Sequence, residues 1–212
     1  LAIRDCTVID NRQSGVSVLP LLPRHGEKTR IEMERCRVSR NQDIGISIKI
    51  DPPSQRKREE DDPQDARIRI ALRGVLVEGN HDHGVSIDVQ YAEEATADLR
   101  IRVEQCSFRS NHKSGLHIDA DAPGDLSVGE SEFLGNQGES GLRISGDARD
   151  ALIRVHSCFF AAQPISAVRL QGQGCLLIHR CLLVDSLGPA LSVRDKHQVR
   201  ALVSDSVVIG PD

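Results

Sequence analysis

Residues 70–87 read IALRGVLVEGNHDHGVSI, and this stretch decides the fold. Ile70 and Leu72, Val75 and Val77, and Val85 and Ile87 each stand two residues apart, with the polar Ser86 inside the last pair. Side chains of a strand alternate between its two faces, so this spacing predicts short strands with one buried face. Asn80 and Gly84 punctuate them and predict a turn.

The unit recurs. Residues 5–18 (DCTVIDNRQSGVSV), 35–48 (RCRVSRNQDIGISI), 105–118 (QCSFRSNHKSGLHI) and 131–144 (SEFLGNQGESGLRI, one extra residue between Asn and Gly) repeat it closely. Residues 158–170 (CFFAAQPISAVRL), 181–193 (CLLVDSLGPALSV) and 206–212 (SVVIGPD) repeat it loosely. The turn position thus falls at Asn11, Asn41, Asn80, Asn111, Asn136, Gln163, Ser186 and Pro211, at uneven steps, which means constant strands joined by loops of variable length. A β-sandwich is the rival all-β arrangement, but it calls for antiparallel hairpins, whereas each repeat here restarts with the same face inward. The expected fold is therefore an all-β, right-handed parallel β-helix, a solenoid of about eight coils. The chain opens in mid-strand and stops within a repeat, which predicts a single β-helix domain over 1–212 belonging to a longer chain.

Recurrence in stacked turns gives the Asn residues a structural role: a ladder of side-chain amides, in a backbone conformation that Asn tolerates. Gly15, Gly45, Gly84, Gly115 and Gly141 read as turn residues. Cys6, Cys36, Cys106, Cys158 and Cys181 share one position, where Val75, Ser131 and Ser206 stand in other coils, so they read as small core residues with free thiols. Neither a zinc site nor a disulfide framework has that pattern.

Composition narrows the function. A net charge of -4 gives no general basic field, Arg and Lys are not conspicuously clustered, and aromatics make up 2% of the chain with no Trp. DNA binding and stacking of bases or sugars on aromatic platforms are not expected. No apolar run approaches the roughly 20 residues of a membrane-spanning helix.

The pattern apolar-x-apolar-x-x-Cys-x-apolar-x-x-Asn-x-x-x-Gly-apolar-x-apolar resembles the right-handed parallel β-helix repeat of the pectin-lyase-like superfamily, over essentially the whole chain. That superfamily includes polysaccharide lyases, hydrolases, uronate epimerases, phage tailspikes and silent members, so the resemblance implies a fold more than a reaction. Asn-Thr-Asp with Asp-Asp and Gly-His-Gly, and Asp-Pro-His, are absent. Asn80-His81-Asp82-His83-Gly84 occupies the ordinary turn, and no catalytic role is carried over to it. The resemblance does imply chemistry on the outer face of a sheet and the long loops beside it, and an extracellular or cell-surface setting.

The long loops are 19–29, 49–67 and 88–98, all following the Gly-flanked strand. Just past that strand Lys49, Asp88 and Asp119 occupy equivalent positions, with Ser86 and His117 on the preceding outward column. Asp88, Asp119, His117 and Lys49 are the candidate catalytic residues for an acidic polysaccharide. Carboxylates one coil apart would stand about 5 Å from each other, close to a retaining glycosidase pair and also suited to sharing Ca²⁺. Asp121 and Asp147, two residues further, are the candidate Ca²⁺ ligands. The pairs His156 with His179 and His81 with His112 read as surface histidines, and 51–67 (DPPSQRKREEDDPQDAR) as a solvated excursion whose basic patch its acidic residues largely cancel. In the last coils Phe159, Leu182 and Val207, and beside them Leu177 and Leu202, should face outward, an apolar patch suited to a protein partner or another segment. Two functions follow: binding or processing of an acidic polysaccharide on the loop-bearing face, or a non-catalytic interaction scaffold of a larger surface protein.

Overall fold

The computed structural model describes residues 1–20, 28–50, 66–90, 97–121, 124–146, 151–194 and 199–210. Among them there is no helix. The chain visits three sheets in turn, and every strand pairs in parallel with the strand three later, giving two sheets of eight strands and one of seven. The first sheet is built from Ala2–Arg4, Lys28–Glu34, Ala66–Arg73, Ala97–Glu104, Gly124–Gly129, Leu152–His156, Gly174–His179 and Val199–Ser204, and these strands open coils 1 to 8. This is the parallel β-helix that the period-2 repeat predicts. About six turns, coils 2 to 7, form its covered body. Coil 1 and the two strands of coil 8 are less covered, and even the inward-column Val203 and Val208 are exposed.

Inward residues stack on their equivalents one coil away. In the second sheet Val38, Val77, Phe108, Phe133, Phe160 and Leu183 form one column. Phe108, Phe133 and Phe160 are fully buried, with centroids 4.8 and 4.6 Å apart and rings near parallel. Each such ring removes on the order of 150–250 Å² from water, so a few aromatics anchor a core otherwise built of Val, Ile and Leu.

The amide ladder is present. Each Nδ2 donates to the Oδ1 of the next Asn, from Asn11 to Asn41, Asn80, Asn111 and Asn136, at 2.8 to 2.9 Å. The same Oδ1 also accepts the backbone N–H of the preceding Asn. At its far end Gln163 donates instead to the carbonyls of Phe133 and Ala161, both at 2.8 Å.

The corners are made differently from the sequence reading. The left-handed residue is never the Asn but the residue just before it (Asp10, Arg40, Gly79, Ser110, Gly135, Ala162, Asp185), and again the one that directly follows each first-sheet strand. Arg35 and Asp5, and Arg40 and Asp10, make ion pairs between adjacent left-handed corners at 2.7 and 2.8 Å. Gly84 and its equivalents do not need a positive φ. They are small because the coils touch there: a Cβ on Gly84 would stand 2.6 Å from the Gly115 carbonyl oxygen and 2.7 Å from Asn111 Nδ2. All six cysteines are free thiols; Cys175 lies outside the shared column, on a first-sheet strand.

Candidate functional site

The third sheet carries the candidate residues. Its strands Ile46–Ile50, Val85–Val89, Leu116–Ala120, Leu142–Gly146, Val168–Gly172 and Leu191–Arg194 show two outward columns. One runs Ser47, Ser86, His117, Arg143, Arg169, Ser192; the other runs Lys49, Asp88, Asp119, Ser145, Gln171, Arg194. Lys49, Asp88 and Asp119 therefore do align, but inside the strands rather than beyond their ends. The strands Ile46–Ile50 and Val85–Val89 run further than the sequence suggests, and the next strands begin at Ala66 and Ala97, while residues 21–27, 51–65 and 91–96 lie outside the described residues. Asp121 follows its strand directly, exposed, its backbone N–H on the Val89 carbonyl at 3.2 Å. Asp147 lies outside the described residues, so the Asp121 and Asp147 pair has no described geometry. No group of three or more His, Cys, Asp or Glu set to hold a metal occurs among the described residues.

Around His117 the structure gathers residues that the strand pattern does not reveal. His83, from the turn of coil 3, is buried with its ring 4.8 Å from His117 and tilted by 37°. Its Nδ1 accepts the Ser114 backbone N–H at 3.2 Å. Asp82 accepts the His83 backbone N–H at 2.6 Å and pairs with Lys113 at 2.7 Å. Burial works against the Asp82 carboxylate, yet Lys113 and that N–H together hold its pKa below the usual value. His117 Nε2 lies 3.1 Å from Ser145 Oγ. Burial, reinforced by Arg143, pulls His117 down to about 4; burial, reinforced by His117, does the same to His83. Both imidazoles are neutral at pH 7, the state in which a ring nitrogen can accept a proton or a hydrogen bond. Arg143 is ion-paired with Glu139, and burial together with the charge of Arg169 lowers its pKa.

No protein-family model matches this chain, and no curated protein matches it. The two remaining histidine pairs fit their structural reading: His81 and His112 stack in an exposed turn at 4.8 Å, and His156 pairs in register with His179.

The composition conceals a cluster of arginines. On the first sheet, Arg67, Arg69 and Arg73 all point outward from the strand Ala66–Arg73, with no carboxylate among them. Arg69 lies in register between Arg30 and Arg100, and Arg102 one column over. Arg30 is tied to Glu32 and Arg100 to Asp98, whereas Arg67, Arg69 and Arg102 form no ion pair among the described residues. Residues 51–65 and 91–96 join the third sheet to the first, so this face adjoins the loop-bearing side. The alternation ARIRIALR contains the signal, provided each Arg is assigned to the outer face before charges are summed.

The apolar ladder of the last coils also has the expected register. Phe159 pairs with Leu182 and Leu182 with Val207, and Leu177 pairs with Leu202. Phe159 and Leu182 are each 37% exposed, Val207 54% and Leu202 60%, while Leu177 is partly covered.

Proposed function

We propose that this β-helix binds an acidic polysaccharide along its loop-bearing side, with the outward arginines of coils 2 to 4 as the contact surface. The observation that carries the proposal is Arg67 and Arg69, exposed and without an ion pair among the described residues, in a chain whose net charge is negative. A strand spaces alternate side chains by about 6.6 Å and neighbouring strands lie about 4.8 Å apart, so the guanidinium groups form a flat grid suited to a repeating anion. Guanidinium binds carboxylate bidentately, and the face lacks the aromatic rings that bases would stack on. Kinship with the pectin-lyase-like superfamily belongs to the same reading, supported by the three parallel sheets and the amide ladder. So does an extracellular or cell-surface setting, where such polymers are met.

For processing, the support is the Asp88 and Asp119 column beside neutral His117, with Lys49 one coil away. Adjacent coils bring the two aspartates to roughly the separation of a retaining carboxylate pair, about 5 Å. Ca²⁺ held at Asp121 and Asp147 is part of this proposal.

The test is a screen of the full chain against polyuronates and neutral glycans, with and without Ca²⁺, reading retention and product release. Salt-sensitive retention of polyuronate alone supports binding. Unsaturated products mark a lyase and new reducing ends a hydrolase. Retention of neutral glycans equal to that of polyuronates overturns the proposal.

A second reading, an interaction scaffold, is supported by the exposed ladder Phe159, Leu182 and Val207 with Leu177 and Leu202. Chemical crosslinking with light scattering tests it: a strict monomer that captures no partner through this face removes it.

A further inference from the structure

The outer face of the third sheet holds buried polar atoms with no partner, and they fall on one strip. Arg143 and Arg169 are register neighbours on adjacent coils, and the Nε of each is buried without a hydrogen-bond partner. Ser114, Ser140 and Ser166 are fully buried, and their hydroxyls are also without partners. Unsatisfied buried polar groups are few in native folds, and each calls for a ligand, an ion or a water.

The repeat relates these two sets. Ser114 follows His83 one coil on, as Arg143 follows His117. The stacked His83 and His117 rings show that these two positions are adjacent on the outer face. One coil later the same relation brings Ser114 beside Arg143, and the next brings Ser140 beside Arg169. Glu139 engages a terminal nitrogen of Arg143 and leaves its Nε free, while Arg169 has no ion pair among the described residues. Two like charges one coil apart repel each other, and an anion between them removes that cost.

We propose that Arg143 and Arg169, with the hydroxyls of Ser114 and Ser140, form a binding site for a single oxyanion, the sulfate, phosphate or carboxylate group of a ligand. The strip supplies N–H donors from two guanidinium groups and hydroxyl donors beside them, a donor set that matches an anion of several oxygens. Glu139 offsets part of the Arg143 charge, so Arg169 carries the net positive charge of the site. The site is separate from the arginine face of the first sheet and stands without the polysaccharide reading.

Isothermal titration of the full chain with sodium sulfate, sodium phosphate and sodium galacturonate, at constant ionic strength, tests it. At least one anion should bind saturably at one site, and the tightest names the acidic group. Arg169→Gln should weaken that anion by about tenfold or more, the loss of one charge-assisted contact. Arg169→Lys, which keeps the charge and the fold, should weaken it less, and Ser140→Ala should weaken it measurably. Arg67→Gln with Arg69→Gln should leave it unchanged. No saturable binding of any of the three anions by the native chain, or equal binding by Arg169→Gln, overturns the site.

Discussion

The imidazole of His83 lies 4.8 Å from that of His117 although the two stand in different coils, one in a turn and one on a strand. Burial lowers both from 6.5 to about 4. Below pH 6.5 the unfolded chain takes up protons that the folded chain refuses until about pH 4, so stability should fall as the pH drops through this window. Asp82, held below 3.8, acts only under it. The double change His83→Gln and His117→Gln should flatten the decline of the thermal midpoint between pH 6.5 and 4. An unchanged slope would show that other groups carry the acid sensitivity.

Asn80 accepts the backbone and side-chain N–H groups of Asn41 at 3.1 and 2.8 Å. Asn80→Ala strands both inside the solenoid and should cost about 2–4 kcal/mol by urea unfolding. Asn11→Ala, at a half-buried position whose amide donates to Asn41, should cost clearly less.

Phe133 is the middle ring of three. Phe133→Ala leaves a cavity between two aromatic faces and should destabilise by about 3–5 kcal/mol, with Phe133→Leu retaining a substantial part of the loss. The comparison is read from denaturant midpoints at constant slope.

Arg67→Gln with Arg69→Gln removes two exposed charges that make no ion pair among the described residues, so folding should be nearly unaffected. Elution from immobilised polyuronate should move to markedly lower salt. Asp88→Asn with Asp119→Asn should leave retention in place and abolish any polyuronate turnover. Elution of the arginine variant at the native salt concentration would remove the first-sheet face from the function.

The fold was legible because period 2 and the recurring Asn are local signals, each visible within one repeat. The rest required knowledge of what touches across coils. Gly84 looks like a conformational glycine, and only the Gly115 carbonyl against it shows that space is the constraint. Asp88 and Asp119 were readable as neighbours because both count from the same Gly. His83 and His117 were not, since a turn residue reaches a strand residue of the next coil diagonally. The arginine face vanished in the totals because its charge is offset by acidic residues elsewhere in the chain.

The corners carry a consequence for how such a molecule can change. At the left-handed corners Asp10, Arg40, Ser110, Ala162 and Asp185, each residue donates its own backbone N–H to a carbonyl of the next coil, a bond that requires no particular side chain. Bending and recognition are thereby written in separate alphabets, backbone for one and surface side chains for the other. A new binding face can be composed on the outside of this rod without renegotiating the path of the chain.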